Sequence, residues 1–425
     1  MAKGFVIAAP RSGSGKTTLT LGLVAALRRR GYGVQPAKSG PDYIDTSILS
    51  RVAGRPAMNL DAWAMAPERL RGLAASDADL LIIEGAMGLF DGAADGAGST
   101  GDVAAALGLP VILVVDAEKQ SQSIAPLVAG FANWRADVRV GGIVINRVAT
   151  QRHETMLRNA LRQLDLSWLG ALPRRDTLVL PERHLGLVLP GEVEGFSAVV
   201  DAAAQAVTDY LDLDALVALA RPPVAAKGSG GLAPLGQRIA IARDEAFAFV
   251  YEHFLRDWRA AGAELRFFSP LADEAPDAGA DAVFLPGGYP ELHGGRLAAA
   301  AGFQEGMRQA RDRGALIYGE CGGYMVLGRS LTDKQGNVHA MTGLLPVDTA
   351  IDRPRRQLGY RRLVHASPLP WPERLYGHEF HYSTARAAGA PPLFAANDAL
   401  GEPQQPMGAQ VGRVLGSYAH VIEGA

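Results

Sequence analysis

The segment from Ala8 to Thr18 reads AAPRSGSGKTT. Gly13 and Gly15 let the backbone curl so that amide N–H groups, that of Ser14 among them, converge on one space. A helix starting there adds its positive N-terminal end. Lys16 can reach the outer phosphates of a nucleotide, the Thr17 hydroxyl can enter the shell of Mg²⁺, and Thr18 completes the candidate nucleotide contacts. The strict phosphate-loop motif has glycine where this chain has Pro10, so the loop is a variant.

A phosphate loop needs acids for its metal, and two stretches offer them. PAKSGPDYIDT carries Lys38, Asp42, Tyr43 and Asp45; IIEGAMGLFDG carries Glu84 and, seven residues on, Asp91. Ligands of a parallel sheet bind at the carboxyl edge of its strands. Glu84, following Leu81-Ile82-Ile83, should therefore face the same mouth as the loop. Mg²⁺ takes oxygen ligands and keeps several waters, so Thr17, Asp42, Asp45 and Glu84 suffice. Asp is also common in turns, which is the competing role for Asp42, Asp45 and Asp91. A carboxylate at a buried strand end, by contrast, needs a partner.

The chain has one cysteine, Cys321, inside LIYGECGGYMVLG. A lone cysteine is by default a small buried hydrophobe. Here a strand runs into Gly-Glu-Cys-Gly-Gly and a helix follows, the thiol counterpart of the nucleophile elbow. The glycines permit the tight turn, and the helix N-terminus favours thiolate. His420 in VLGSYAHVIEG is the candidate base. Gly287 and Gly288 in FLPGGYPEL can supply oxyanion N–H groups. The histidines of GHEFHYS are three apart, not four as in a zinc helix motif, and a structural or substrate-contact role is expected.

These residues need elements to hold them. Phe5-Val6-Ile7, Leu80 to Ile83, Val111 to Val115 and Gly142 to Ile145 read as buried strands. Leu19 to Arg30 reads as a helix closed at Gly31. Continuous apolar runs between helices indicate a parallel sheet covered on both faces. RPPVAAKGSGGLAPLG, from Arg221, offers no core and reads as a linker. Beyond it Arg238 to Ala242, Ala282 to Leu285 and Ala315 to Tyr318 are strands. The fold class is α/β with two doubly wound domains, residues 1–220 and 238–425, joined by 221–237. A chain of 425 residues is long enough for two cores.

Composition narrows the function classes. The chain is 48% hydrophobic and 20% charged, with a formal net charge of −2, which points to a globular protein and to no nucleic-acid or anionic-membrane partner. A single cysteine excludes an intrachain disulfide and fits a reducing compartment. Met1 to Pro10 lacks the basic start and cleavage site of a signal peptide, and no apolar run reaches spanning length. The cytoplasm is the expected location.

APRSGSGKTT, KSGPDYIDT and EGAMGLFDG together resemble the ATP-binding half of the cobyrinic and hydrogenobyrinic acid a,c-diamide synthases, a half related to dethiobiotin synthetase. The Cys321 elbow, His420 and the Gly287-Gly288 pair resemble the triad-type class I glutamine amidotransferases joined to those enzymes. The resemblance covers essentially the whole chain. It implies that ATP phosphorylates a substrate carboxylate and that glutamine-derived ammonia displaces the phosphate. It implies ATP and Mg²⁺ at Lys16, Thr17, Asp42, Asp45 and Glu84, Asp91 near the corrinoid carboxylate, and adenine read by Asn146. L-Glutamine and a corrinoid tetrapyrrole would be the partners, with Lys38 and Tyr43 among the substrate contacts and a homodimer left open. The sequence departs from the family at the third triad member. Classic members of the triad-type amidotransferases place Glu two residues after the histidine and the corrinoid subgroup a second histidine there; this chain has Ile422, and Glu423 lies one further. Cobyric acid synthase and nickel-sirohydrochlorin diamide synthase are related alternatives. A partitioning-type ATPase switch carrying an inert amidotransferase-like domain is an alternative of another class.

Overall fold

The computed structural model describes residues 2–174, 182–183, 186–187, 195–226, 230–353 and 355–425. The chain divides into two units, Met1–Ser229 and Gly230–Ala425. Residues 227–229 of the expected linker lie outside the described residues. On either side the Pro/Gly-rich stretch has partners within each unit. Gly4 N–H donates to the Arg221 carbonyl at 2.7 Å, and Trp371 Nε1 donates to the Ala233 carbonyl at 2.9 Å.

The first unit is built on a seven-stranded parallel sheet. Its spatial order is Met58–Leu60, Val34–Ser39, Leu80–Glu84, Lys3–Ala8, Val111–Asp116, Val140–Val148 and Ser167–Pro173. The chain leaves Lys3–Ala8 in one direction across the sheet and Leu80–Glu84 in the other. Right-handed crossovers taken in opposite directions put helices on opposite faces. One group is Lys16–Arg29 with Ile44–Ala53 and Phe196–Tyr210; another is Pro67–Ala74 with Thr100–Leu107. Gly22 lets the first helix approach Phe196–Tyr210 closely: a methyl there would sit 2.7 Å from the Ala203 carbonyl oxygen. Residues of Leu80–Glu84 and Val111–Asp116 are buried throughout, which is why they read as unbroken apolar runs.

The described residues of the second unit form three sheets. The largest runs Glu264–Phe268, Arg238–Ala242, Ala282–Leu285, Leu316–Glu320, Val414–Ser417 and Ala409–Val411, parallel except for the last strand. Aromatic rings fill its interior, with Tyr318 stacked on Phe284 at 5.8 Å and Phe254 on Trp258 at 5.4 Å. An antiparallel sheet of Ala395–Asn397, Gln357–Val364, Arg374–His381 and His420–Gly424 carries the candidate base. A smaller four-stranded sheet spans Ser330–Thr332, Val338–Ala340, Val347–Ala350 and Thr384–Ala387.

The doubly wound α/β cores are those expected from the apolar runs. The expected helix from Leu19 begins earlier, at Lys16, and Gly31 has the left-handed φ of 91° that its closing role requires. The antiparallel sheet and the smaller mixed sheet were not legible, because their strands mix charged and apolar residues without clean alternation. No helix among the described residues is long and apolar enough to cross a membrane.

Candidate active sites

The phosphate loop joins Lys3–Ala8 to the helix Lys16–Arg29. Gly13 and Gly15 both take positive φ, 74° and 91°, the conformations that let successive amides face one way. Gly15 also has no room for a side chain, since a methyl would meet Asn146 Nδ2 at 2.3 Å. The Ser14 hydroxyl donates to the Arg11 carbonyl at 3.0 Å and steadies the loop. Lys16 is buried and donates to the Met87 carbonyl at 2.5 Å. Met87 itself holds a strained φ of 46°. Burial, then the neighbouring Lys38, lowers the Lys16 pKa to about 8.

Glu84 lies at the centre of the first unit's site. Register places it beside Ile7 on one strand and Lys38 on the other. Its Oε1 accepts from Thr17 Oγ1 at 2.6 Å and from Lys38 Nζ at 2.8 Å. Its Oε2 is buried with no hydrogen-bond partner. Burial pushes the carboxyl up, opposed by Lys38. Lys38 also pairs with Asp45. Burial disfavours the Lys38 charge, but Asp45 and Glu84 outweigh it and hold the ammonium above its usual range. Asp42 caps the helix Ile44–Ala53, with Oδ1 accepting from Ile44 N–H at 2.8 Å and Asp45 N–H at 2.9 Å. Burial, then Asp45, pushes Asp42 up to about 7.

The structure thus brings Lys16, Thr17, Lys38, Asp45 and Glu84 into one cluster, with Asp42 beside it. Tyr43 is the N-cap residue of that helix. Asp91 is exposed; its Oδ2 accepts from Gly88 N–H at 2.8 Å, within the electrostatic range of Lys16. Both ends of the Asn146 amide are engaged. Nδ2 donates to the Ser14 carbonyl at 2.9 Å and Oδ1 accepts from Arg147 N–H at 2.9 Å. To read a base, Asn146 would have to release the loop. Thr18 lies in the first turn of the helix Lys16–Arg29. One group went unnoticed in the sequence. Asp116 ends a buried strand as Glu84 does, and pairs with Arg147 at 2.6 Å and Arg11 at 3.2 Å. The same rule, an acid closing an apolar run, would have found it.

No cluster of three or more His, Cys, Asp or Glu among the described residues is arranged to hold a metal. The donors present suit Mg²⁺ nonetheless, an ion that keeps waters and takes phosphate oxygens. Glu84 Oε2 is a buried carboxylate oxygen without a partner, and Thr17 Oγ1 is beside the other oxygen.

In the second unit, Leu316–Glu320 ends directly before Cys321, which holds φ 48° and ψ −106° and caps the helix Gly322–Leu327. Positive φ at a residue with a side chain is the strained elbow expected of a presented nucleophile. Gly323 makes the turn possible, since a methyl there would lie 1.9 Å from the Leu285 carbonyl oxygen. Cys321 N–H donates to the Ser417 carbonyl at 2.8 Å. The Cys321 side chain is hydrogen-bonded to His420. Gly287 faces both: a methyl there would be 2.4 Å from His420 Cε1 and 3.3 Å from Cys321 Cβ. Gly288 packs on the Ala246 carbonyl and near Gly322.

The acid facing His420 is Glu320, not a residue downstream of the histidine. Glu320 Oε2 lies 3.7 Å from His420 Nδ1, and both side chains are buried. Glu423 sits opposite Tyr376 and its Oε1 accepts from its own neighbour, Gly424 N–H, at 3.3 Å. Burial disfavours the His420 imidazolium, but Cys321 and Glu320 override it and push the pKa up to about 10. Glu320 could have been found from its position closing a buried strand.

GHEFHYS forms a buried ionic network. Glu379 pairs with Arg361 at 2.7 Å and with His381 at 2.8 Å, and His381 stacks on Tyr418 at 3.8 Å. His378 stands opposite His420; burial, then His420, lowers it to about 3. A cavity of about 410 Å³ opens here, lined by Arg361, Glu379, His381, Tyr324 and Tyr418.

Residues 5–188 match the family model of the CobQ/CobB/MinD/ParA nucleotide binding domain, and residues 238–424 that of the CobB/CobQ-like glutamine amidotransferase domain. The hydrogenobyrinate a,c-diamide synthase of Brucella anthropi is 52% identical over 429 residues, 99% of this chain and 98% of that protein. The enzyme of that name from Sinorhizobium sp is 53% identical over 427 residues, with 99% and 98% covered. That from Rhodobacter capsulatus is 50% identical over 432 residues, covering 99% of each.

Proposed function

The chain belongs to the family of hydrogenobyrinate a,c-diamide synthases, and from that premise we propose that it converts the a and c carboxylates of hydrogenobyrinic acid to amides. Glutamine supplies the nitrogen and ATP the activation. The observation that carries this reading is the pairing, in one chain, of a phosphate loop beside a buried unpartnered carboxylate oxygen with a strained cysteine bonded to histidine.

The two halves solve two chemical problems. A carboxylate does not react with ammonia at neutral pH. Transfer of the γ-phosphoryl group makes an acyl phosphate, which has a leaving group. Loop amides and Lys16 hold the phosphates, and binding replaces the Met87 carbonyl as the partner of the Lys16 ammonium. Thr17 and Glu84 would hold Mg²⁺, which supplies charge neutralisation at the phosphates. Lys38 pairs with both Glu84 and Asp45 and holds them in place.

Ammonia is scarce in its free form, so it is made on demand. Cys321 attacks the glutamine side-chain amide, and the Gly287 and Gly288 amides face the oxyanion. His420 protonates the departing ammonia and then activates the water that hydrolyses the thioester to glutamate. Arg361 and Glu379, at the neighbouring cavity, offer a cation and an anion to match the two charges of the amino-acid headgroup. Ammonia then attacks the acyl phosphate and expels inorganic phosphate.

The test is turnover with glutamine and ATP on hydrogenobyrinic acid and cobyrinic acid side by side, with products identified by mass. Two amidations of hydrogenobyrinic acid, each consuming one ATP, are expected. Turnover of neither acid would overturn the reading, and turnover of cobyrinic acid alone would reassign the substrate.

A further inference from the structure

The triad-type glutaminase needs a third group to orient its histidine, and the usual position, two residues beyond the base, is Ile422 here. Glu320 occupies the required place from another direction. It closes the strand Leu316–Glu320 and immediately precedes the nucleophile, so the same backbone turn aims both side chains. Its two oxygens have separate tasks. Oε1 accepts from Tyr318 OH at 3.0 Å and from Val421 N–H at 3.0 Å. Tyr318 and Glu320 share a face of the sheet because side chains alternate along a strand. With Oε1 so held, Oε2 is the oxygen directed at His420 Nδ1, 3.7 Å away.

We propose that Glu320 is the positioning residue of the glutaminase centre, accepting the His420 Nδ1 proton and holding Nε2 toward Cys321. The proposal rests on the glutaminase reading above. A carboxylate only accepts, so the proton it faces belongs on Nδ1. Nε2 is then the nitrogen free to exchange a proton with sulfur. Space agrees: a methyl at Gly287 would lie 3.2 Å from His420 Nε2 and 3.3 Å from Cys321 Cβ, so the two face one gap. A separation of 3.7 Å is long for a hydrogen bond, and such contacts commonly tighten when substrate is bound. The titratable groups facing His420 include Glu320 and Cys321 on the strand-to-helix turn and His378 on the adjacent strand.

Glu320→Gln and Glu320→Asp in the full chain test this by glutamine hydrolysis, without corrinoid, so a wrong acceptor assignment would not disturb the result. The Gln variant presents an amide that can donate to Nδ1 and favour the wrong tautomer. Its kcat is expected to fall roughly 10²–10⁴-fold with KM for glutamine little changed. The alkaline limb of its kcat/KM profile should move to lower pH, because the imidazolium loses its carboxylate. The Asp variant, with the charge but less reach, should recover much of the rate. Wild-type kcat and an unmoved alkaline limb in Glu320→Gln would overturn the proposal. So would equal inactivity of both variants with a lowered melting temperature, which would mark Glu320 as a purely structural anchor of Val421.

Discussion

Thr17 Oγ1 donates to Glu84 Oε1 at 2.6 Å, joining the phosphate loop to the end of a strand 67 residues away. The bond sets the loop hydroxyl against a buried carboxylate whose second oxygen lacks a hydrogen-bond partner. Neither residue alone makes a metal site. On the proposed reading, together they would give two oxygen donors at the mouth of the sheet, with nucleotide phosphates supplying the rest.

Glu84→Gln keeps the shape of that corner and removes its charge. The Mg²⁺ concentration for half-maximal ATP-dependent synthesis should rise roughly 10–100-fold. A magnesium titration of initial rates that matches the wild type would exclude Glu84 from the metal shell.

Lys16→Ala removes the ammonium proposed to reach the outer phosphates. ATP hydrolysis coupled to synthesis should drop by about 10²-fold or more with either glutamine or ammonium salt. Unchanged ATP turnover would remove Lys16 from the nucleotide site.

Lys38 sits between Glu84 and Asp45 with its side chain 4% exposed. Lys38→Met removes the cation paired directly with both acids. Loss of one partner from a buried pair costs about 3–5 kcal/mol, read as a lowered urea midpoint of the first unit's transition. A wild-type midpoint would show that the acids protonate or separate without penalty.

Cys321→Ala separates the two halves of the reaction. Glutamine-driven synthesis should vanish, while synthesis from added ammonium salt persists. Equal loss of both would contradict the division of labour between the units.

The His420 pKa is raised from 6.5 to about 10. A raised folded-state pKa adds stability that is full below the unfolded value and fades as pH climbs through the folded one. Urea unfolding of the second unit should therefore weaken between about pH 6.5 and 10 on this account. His420→Gln should flatten that slope; identical slopes in the two proteins would contradict the assignment.

Much of this was legible in the chain itself because the signals are local. A glycine loop before GKTT, an acid closing Leu81-Ile82-Ile83, and a Gly-x-Cys-x-Gly turn each depend on backbone conformation within a few residues. Leu80–Glu84 and Val111–Asp116 are apolar up to their last residue, so that part of the core announced itself, whereas the buried parallel strand Val34–Ser39, with Gln35, Pro36 and Lys38, did not. Asn146 shows the limit of such reading: its position at a strand end was visible, but its engagement with Ser14 was not. Asp116 and Arg147 show it too, since their pairing spans two strands.

What the sequence by itself determined is the chemistry: a phosphate loop with acids, and a presented thiol with a histidine. Only the tertiary structure decided how the charges pair. It set Lys38 between Glu84 and Asp45, and it brought Glu320 to His420 across 100 positions by running His420–Gly424 past the end of Leu316–Glu320. Backbone turns are written in neighbouring residues. Ion pairs at a sheet edge depend on strand order and register, which long-range packing settles and no local spacing records.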